Sequence, residues 1–297
     1  SVAVPDHNPI LLGCTQWSDP VWQGTLYSSG SDADQRLAQY CSVFAAVEGN
    51  TTFYSLPGAD RVARWAELMP TDFRFCAKLP RDISHGSRLT ADAPALRDFF
   101  TRMAPLGQRL GPIWLQLPQR FSPARIAELI AFLDALPRDF DYAVEVRHLD
   151  FFRKDKNEQH LNRQLHERGI ERIIFDTRAL FASDDASAAT LEAKERKPRL
   201  PVHAVALSNR PAVRFVGGMD NSANLRALEP WLNKCAEWLR SGHQPMIFMH
   251  TPDNRLAPQL ARLFYQQLQK RVPSLPVMPC WPGEQEAAMQ PEQVDLF

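Results

Sequence analysis

Glu145-Val146-Arg147-His148 places three ionisable side chains within four residues. In an extended segment Glu145 and Arg147 fall on one face, because successive side chains alternate. A carboxylate and a guanidinium sharing a buried face are costly unless they pair or meet a ligand. Glu48 ends the apolar run Val43–Val47 and is followed by Asn50, Thr51 and Thr52, while Lys78 ends the segment Phe73–Ala77. Two carboxylates on different strands can be held in different environments and so serve as general acid and general base. Each can equally neutralise a neighbouring cation such as Lys78 or Arg147. A lysine in such a place can form a Schiff base, hold a phosphate or simply pair with Glu48 or Glu145.

The elements that must position these groups are short apolar runs alternating with helical periodicity. Strands are predicted at Ile10–Cys14, Val43–Glu48, Phe73–Lys78, Ile113–Leu117, Tyr142–Val146, Ile173–Asp176, Val213–Val216 and Met246–Met249. Near-continuous apolar character fits parallel strands buried on both faces. Between them, Ile126, Leu129, Ile130 and Leu133 follow helical spacing, as do Leu256, Leu260, Leu263 and Phe264. The pattern predicts an α/β fold, a TIM-like (β/α)8 barrel, whose site lies at the C-terminal strand ends. An insertion is expected between strands 6 and 7, with Val202–Leu207 as an extra strand and the charged run Glu192–Arg199, basic in its balance, as a solvated helix face. Residues 1–272 are read as one barrel domain and 273–297 as a Pro-rich tail.

The strand-end positions supply the candidate site. Glu48, Lys78, Glu145, His148 and Asp176 are the candidate catalytic groups. Trp17, Asn50, Thr52, His85, Gln116, Arg147, Arg214 and His250 are the candidate substrate-binding groups. Gly217-Gly218 is read as a weak phosphate-loop signal. No cofactor is expected. A divalent metal is kept as an alternative because His148, His250, Glu48, Glu145 and Asp176 are suitable ligand types, although no H-x-x-x-H or H-E-x-x-H spacing occurs.

Bulk properties exclude some classes. The 34 basic and 34 acidic residues balance, so a global nucleic-acid footprint of basic charge is absent. Hydrophobic content of 44% is that of a folded chain. Five widely spaced cysteines without a C-x-x-C pair read as reduced thiols, and no signal peptide or membrane span is evident, which predicts a cytoplasmic protein.

Ordered blocks along the chain carry a family resemblance. They include Gly13-Cys14-Thr15-Gln16-Trp17-Ser18, Val47–Tyr54 with Leu56-Pro57, Phe73–Lys78 with Ile83-Ser84-His85, Gln116-Leu117-Pro118, Ala143–His148, and Asp176 with Arg178. In these blocks the chain resembles the YecE-like family, a domain of unknown function. The resemblance implies a TIM-barrel-like fold and supplies no settled reaction. The chain departs from the family pattern at Arg214-Phe215-Val216-Gly217, where R-x-H-G is common, and at His250-Thr251-Pro252-Asp253, where paired asparagines are common.

The chain ends Gln293-Val294-Asp295-Leu296-Phe297, which resembles the bacterial sliding-clamp-binding motif. Leu296 and Phe297 suit an apolar pocket and Gln293 a polar edge, so the DNA sliding clamp is the expected partner. Two functions follow as expectations. One is a clamp-recruited barrel acting on a nucleic-acid or nucleotide substrate. The other is a small-molecule enzyme, a hydrolase or acid/base lyase or isomerase, acting on a phosphorylated or sugar-like compound. A non-catalytic ligand-binding barrel is the third reading.

Overall fold

The computed structural model describes residues 8–290. The predicted apolar runs appear as β1 (Leu11–Cys14), β2 (Ala46–Gly49), β3 (Arg74–Ala77), β4 (Ile113–Gln116), β5 (Tyr142–Glu145), β6 (Glu171–Arg172), β7 (Ile174–Asp176), β8 (Ala212–Val216) and β9 (Met246–His250). These strands pair in parallel in two sheets, one ordered β3-β2-β1-β9-β8-β7 and the other β4-β5-β6. Two isolated parallel bridges, Phe75 with Leu110 and Lys78 with Trp114, link the end strands β3 and β4. Only Ile173 separates β6 from β7, and its N–H donates to the Val144 carbonyl at 2.9 Å. One continuous extended run therefore pairs first with β5 and then with β8.

Side-chain alternation splits the strand residues into two apolar layers. Leu11, Ala46, Cys76, Trp114, Ala143, Ile173, Ala212, Met246 and Phe248 form a small cluster of their own. Their strand neighbours, among them Leu12, Val47, Phe75, Leu115, Val144, Val213 and Ile247, join the large core that the helices cover. Helices Ala33–Val43, Glu229–Arg240 and Ala257–Arg271 contribute Leu37, Trp231, Leu260 and Phe264 to that layer. The first of these helices is fixed by a capping box between Asp32 and Gln35.

Three expectations need correction. The apolar run starting at Val43 is not all strand, because helix Ala33–Val43 runs through it and β2 begins at Ala46. Apolar runs alone do not separate a helix end from a buried strand. No strand forms over Val202–Leu207; the insertion instead holds helices Arg178–Ala182 and Ala188–Arg196. The basic run is not wholly solvated either, since Lys197 faces the strand-end charges.

The described part of the Pro-rich segment packs on the same core. Trp281 is buried beneath the Arg262 guanidinium, 3.6 Å from the ring centroid. Gly283 donates its N–H to the Leu26 carbonyl at 3.1 Å. A Cβ at Gly283 would lie 2.3 Å from the Thr25 carbonyl oxygen, so the close approach requires glycine. The five residues Gln293–Phe297 lie outside the described residues. Among those described, no helix is long and apolar enough to cross a membrane.

Candidate active site at the strand ends

One rule of register builds the site. Two residues beyond a member of the small apolar cluster, the chain places a polar group on the same face. Ala46 leads to Glu48, Cys76 to Lys78, Trp114 to Gln116, Ala143 to Glu145, Ala212 to Arg214 and Phe248 to His250. These six polar residues therefore form a layer directly above the apolar one.

Their contacts make one network. Glu48 accepts from Asn50 Nδ2 at 2.6 Å, and the Lys78 ammonium lies 3.7 Å from its Oε2. Lys78 donates to Gln116 Oε1 at 2.8 Å and sits 4.7 Å from the Trp114 ring centroid. Arg147 Nε donates to Glu145 Oε2 at 2.6 Å. The guanidinium groups of Arg147 and Arg214 both lie over the Phe175 ring, at 5.6 and 4.9 Å. Arg214 Nε approaches Glu48 Oε1 to 3.2 Å, yet the N–H is not aligned for a hydrogen bond. Arg214 Nε, Glu48 Oε1 and Glu145 Oε1 thus remain buried without hydrogen-bond partners. Each such orphan costs roughly 1–3 kcal/mol in a protein interior.

The charges do not cancel. Lys78 and Arg214 are buried against the equally buried Glu48 and Glu145, and the part-buried Arg147 and Lys197 add further positive charge beside them. Burial pushes the Glu145 carboxyl up, but the charges of Arg147, Lys78 and Arg214 outweigh it and leave it below the usual range. Burial lowers the Lys78 ammonium to about 8, against the pull of Glu48. The Arg214 charge, followed by burial, lowers Lys197 to about 7. Burial, with Arg214 and Lys197 nearby, holds His250 well below its ordinary value, and its Nδ1 lies 3.2 Å from Thr15 Oγ1. The groups brought towards neutrality are therefore the two lysines, Lys78 and Lys197.

Two cavities flank this network. A cleft of about 590 Å³ is lined by Glu48, Asn50, Trp17, Trp65, Tyr54 and Arg61 among others. A smaller cavity of about 320 Å³ is lined by His85, Gln119, Arg147, Arg196, Lys197 and Arg199, with Glu195 as its acidic member. Burial lowers His85 to about 4, aided by the charges of Arg81, Arg120 and Arg147, so His85 is neutral there.

Other predicted site residues lie apart from the network. Asp176 follows Phe175, which occupies the inward register, and its carboxylate turns to the helix layer. There it accepts from Trp231 Nε1 at 2.8 Å and pairs with Arg178 at 3.0 Å. His148 likewise follows the inward Arg147; its Nδ1 accepts from the Asp150 N–H at 3.1 Å and caps the short helix Leu149–Phe151. Thr52 is buried and donates to the Lys78 carbonyl at 2.7 Å, a brace between strand ends. Trp17 forms a cleft wall, edge-on to Trp65 at 5.2 Å. The Gly217 and Gly218 N–H groups are taken by the His250 carbonyl and Asn224 Oδ1, both at 2.8 Å, and so are not free for phosphate. Among the described residues, no three His, Cys, Asp or Glu side chains converge as a metal site. Lys197 is the site residue that the sequence reading passed over; its run of charges resembled a surface helix.

Residues 11–286 match the family described as protein of unknown function DUF72. The chain belongs to the DUF72 family. It is 42% identical over 278 residues to the UPF0759 protein YecE of Escherichia coli strain K12, covering 93% of this chain and 98% of that protein. The YecE protein of E. coli O157:H7 gives the same identity and coverage. A solved DUF72 protein from Enterococcus faecalis superposes with a TM-score of 0.63 at 17% identity, over 89% of this chain and 95% of that one. One from Thermotoga maritima gives 0.62 at 19%, over 88% and 99%. At such identities the superpositions speak for the fold alone.

Proposed function

We propose that this DUF72 protein is a (β/α)8 barrel that binds a phosphorylated ligand at its strand ends and uses Lys78 for proton transfer. The bridges between β3 and β4, and the shared run of β6 and β7, support closure of the strands into one ring. The observation that carries the ligand reading is the positive charge that the part-buried Arg147 and Lys197 add beside the buried Glu48, Glu145, Lys78 and Arg214, together with the orphaned polar atoms there. A multivalent anion placed there meets Arg214 Nε and the Arg147 and Lys197 charges, and a fork-shaped guanidinium matches phosphate geometry. Glu48 and Glu145 then hold the cations in place, and Glu145 stays ionised. Lys78, desolvated and near its own midpoint at mild alkaline pH, can accept a proton from a bound hydroxyl or return one to a leaving group.

The tail residues Gln293, Leu296 and Phe297 extend the proposal to recruitment by the sliding clamp, on the strength of the motif alone. Such recruitment would bring the pocket to nucleic-acid or nucleotide substrates.

The test of the pocket is calorimetric titration with inorganic phosphate at low salt. Arg147→Ala is expected to weaken binding at least tenfold, about 1.4 kcal/mol. Absence of binding in the unaltered protein, or an unchanged Kd in Arg147→Ala, overturns the reading.

A further inference from the structure

The anion site accounts for the basic cavity but leaves the larger cleft beside it unused. That cleft, of about 590 Å³, falls in the size range of small-ligand pockets. It lies between the ends of β1 and β2 and the helices Ala33–Val43 and Ala59–Leu68. Its walls are aromatic. Trp17 stands edge-on to Trp65, and Phe75 lies behind both at 5.7 and 5.3 Å. Tyr54 forms the lip, 75% exposed, and touches Phe53 edge-on at 5.0 Å. An aromatic ring held so far into solvent by a short helix, at the mouth of a concave site, leaves its face free for a stacking partner. Asp60 and Arg61 at the rim supply hydrogen-bonding groups for the edge of a planar ring.

The cleft borders the strand-end network at Glu48 and Asn50. Glu48 and Asn50 line it, Glu48 meets Arg214, and Arg214 shares the Phe175 ring with Arg147. Arg147 in turn lines the basic cavity with Lys197 and Arg199. A molecule lying over Glu48 would place a flat apolar face on one side of the network and a phosphate on the other.

We infer that the ligand is a nucleotide or a nucleotide-ended strand, with its base in the Trp17–Tyr54 cleft and its phosphate at Arg147 and Lys197. The inference rests on the anion-site reading and names the substrate class of that same site. Stacking of a base on an aromatic side chain is tolerant of base identity, so the cleft distinguishes a nucleotide from a sugar phosphate more sharply than one base from another.

The experiment compares dissociation constants for inorganic phosphate, ribose 5-phosphate and adenosine 5′-monophosphate, in the unaltered protein and in Tyr54→Ala. Tyr54 is exposed, so its removal leaves the core intact. Adenosine 5′-monophosphate is expected to bind at least tenfold more tightly than ribose 5-phosphate, and Tyr54→Ala to remove most of that margin while leaving ribose 5-phosphate unchanged. Equal binding of the two, or a margin that survives Tyr54→Ala, overturns the nucleotide inference and leaves the anion site standing. Failure of all three phosphates to bind overturns both readings. A short single-stranded oligonucleotide with a 5′-phosphate then separates the sources. Tighter binding than the monophosphate, lost in Tyr54→Ala, supports a strand end. Weaker binding, with the monophosphate margin intact, supports a free nucleotide.

Discussion

Two buried charge networks lie on this fold, and they differ in how completely they are closed. At the start of the β6–β7 run, Arg172 donates to Glu158 at 2.8 Å, to Asn162 at 2.9 Å and to the Phe151 carbonyl at 3.0 Å. His203 adds a 2.6 Å contact to the same Glu158 carboxylate. Beside them, Glu171 accepts from the N–H groups of Arg172, Leu207 and Ser208 and from the Ser208 hydroxyl. Neither Glu158, Glu171 nor Arg172 is among the described residues with orphaned buried polar atoms. At the strand ends, by contrast, Glu48, Glu145 and Arg214 each keep one. The first network has spent its hydrogen-bonding capacity on tying the insertion segment Val202–Leu207 and helix Lys156–Glu167 to the sheet. The second retains capacity, and unsatisfied capacity in a buried place is what a ligand can use.

The largest expected effect breaks the closed network. Arg172→Met leaves the Glu158 carboxylate buried with His203 as its remaining side-chain partner. It is expected to cost about 3 kcal/mol or more in stability, since removing one member of a buried pair strands the other. Denaturant unfolding measures the loss, and phosphate titration of the folded variant is expected to give an unchanged Kd. Retained stability with lost phosphate binding would reverse the roles assigned to the two networks.

The second effect sharpens the open network through pH. Lys78 has an ordinary value of 10.5 and a folded value of about 8. Below pH 8 it is protonated in both states, and the full cost of burying its charge is present. Between pH 8 and 10.5 the native state binds fewer protons than the unfolded state, so this group makes stability rise with pH. The rise across that window is about 3 kcal/mol for a shift of this size. Lys197 adds a rise of the same sign beginning nearer pH 7. Unfolding free energies measured from pH 7 to 10.5 should therefore climb in the unaltered protein and climb by about 3 kcal/mol less in Lys78→Met, the rise from Lys197 remaining. Equal slopes would remove Lys78 as the titrating group and with it the proposed proton carrier.

How far the sequence disclosed these networks depends on register. Glu48, Lys78, Glu145 and Arg147 were legible because each ends an apolar run or sits in a dense charge motif. Asp176 reads from the sequence as a strand-end pocket group, whereas alternation from Ile173 puts Phe175 inward and turns Asp176 to the helix layer; His148 follows Arg147, which alternation already places with Glu145, and caps a short helix instead. Counting by two from Ile173 separates Asp176 from the pocket, but that anchor is defined only once the strands are assembled. Lys197 was hidden for another reason. It sits just after helix Ala188–Arg196, within a run of charges that includes the exposed Glu192–Arg196 pair, and only the fold of the insertion turns it inward. The closed network was also out of reach, because Glu158, Arg172 and His203 are brought together by the path of an irregular segment rather than by periodicity.

The smallest effect concerns His148, the residue at the boundary between the two kinds of role. Its ring is part-exposed, it stands 6.4 Å from the Phe151 ring centroid, and its Nδ1 accepts a backbone N–H at the start of helix Leu149–Phe151. Loss of such a cap costs about 1 kcal/mol. His148→Ala is therefore expected to lower stability by about that amount and to change phosphate affinity by less than about threefold, below 1 kcal/mol. His148→Asn, which can accept the same N–H, should recover most of the stability. A pocket role makes a different pattern: His148→Ala would weaken phosphate binding strongly, and the asparagine would restore the fold without restoring the binding. Because the capping bond and the ligand contact would depend on the same ring, only the split between stability and affinity tells which of them the histidine serves.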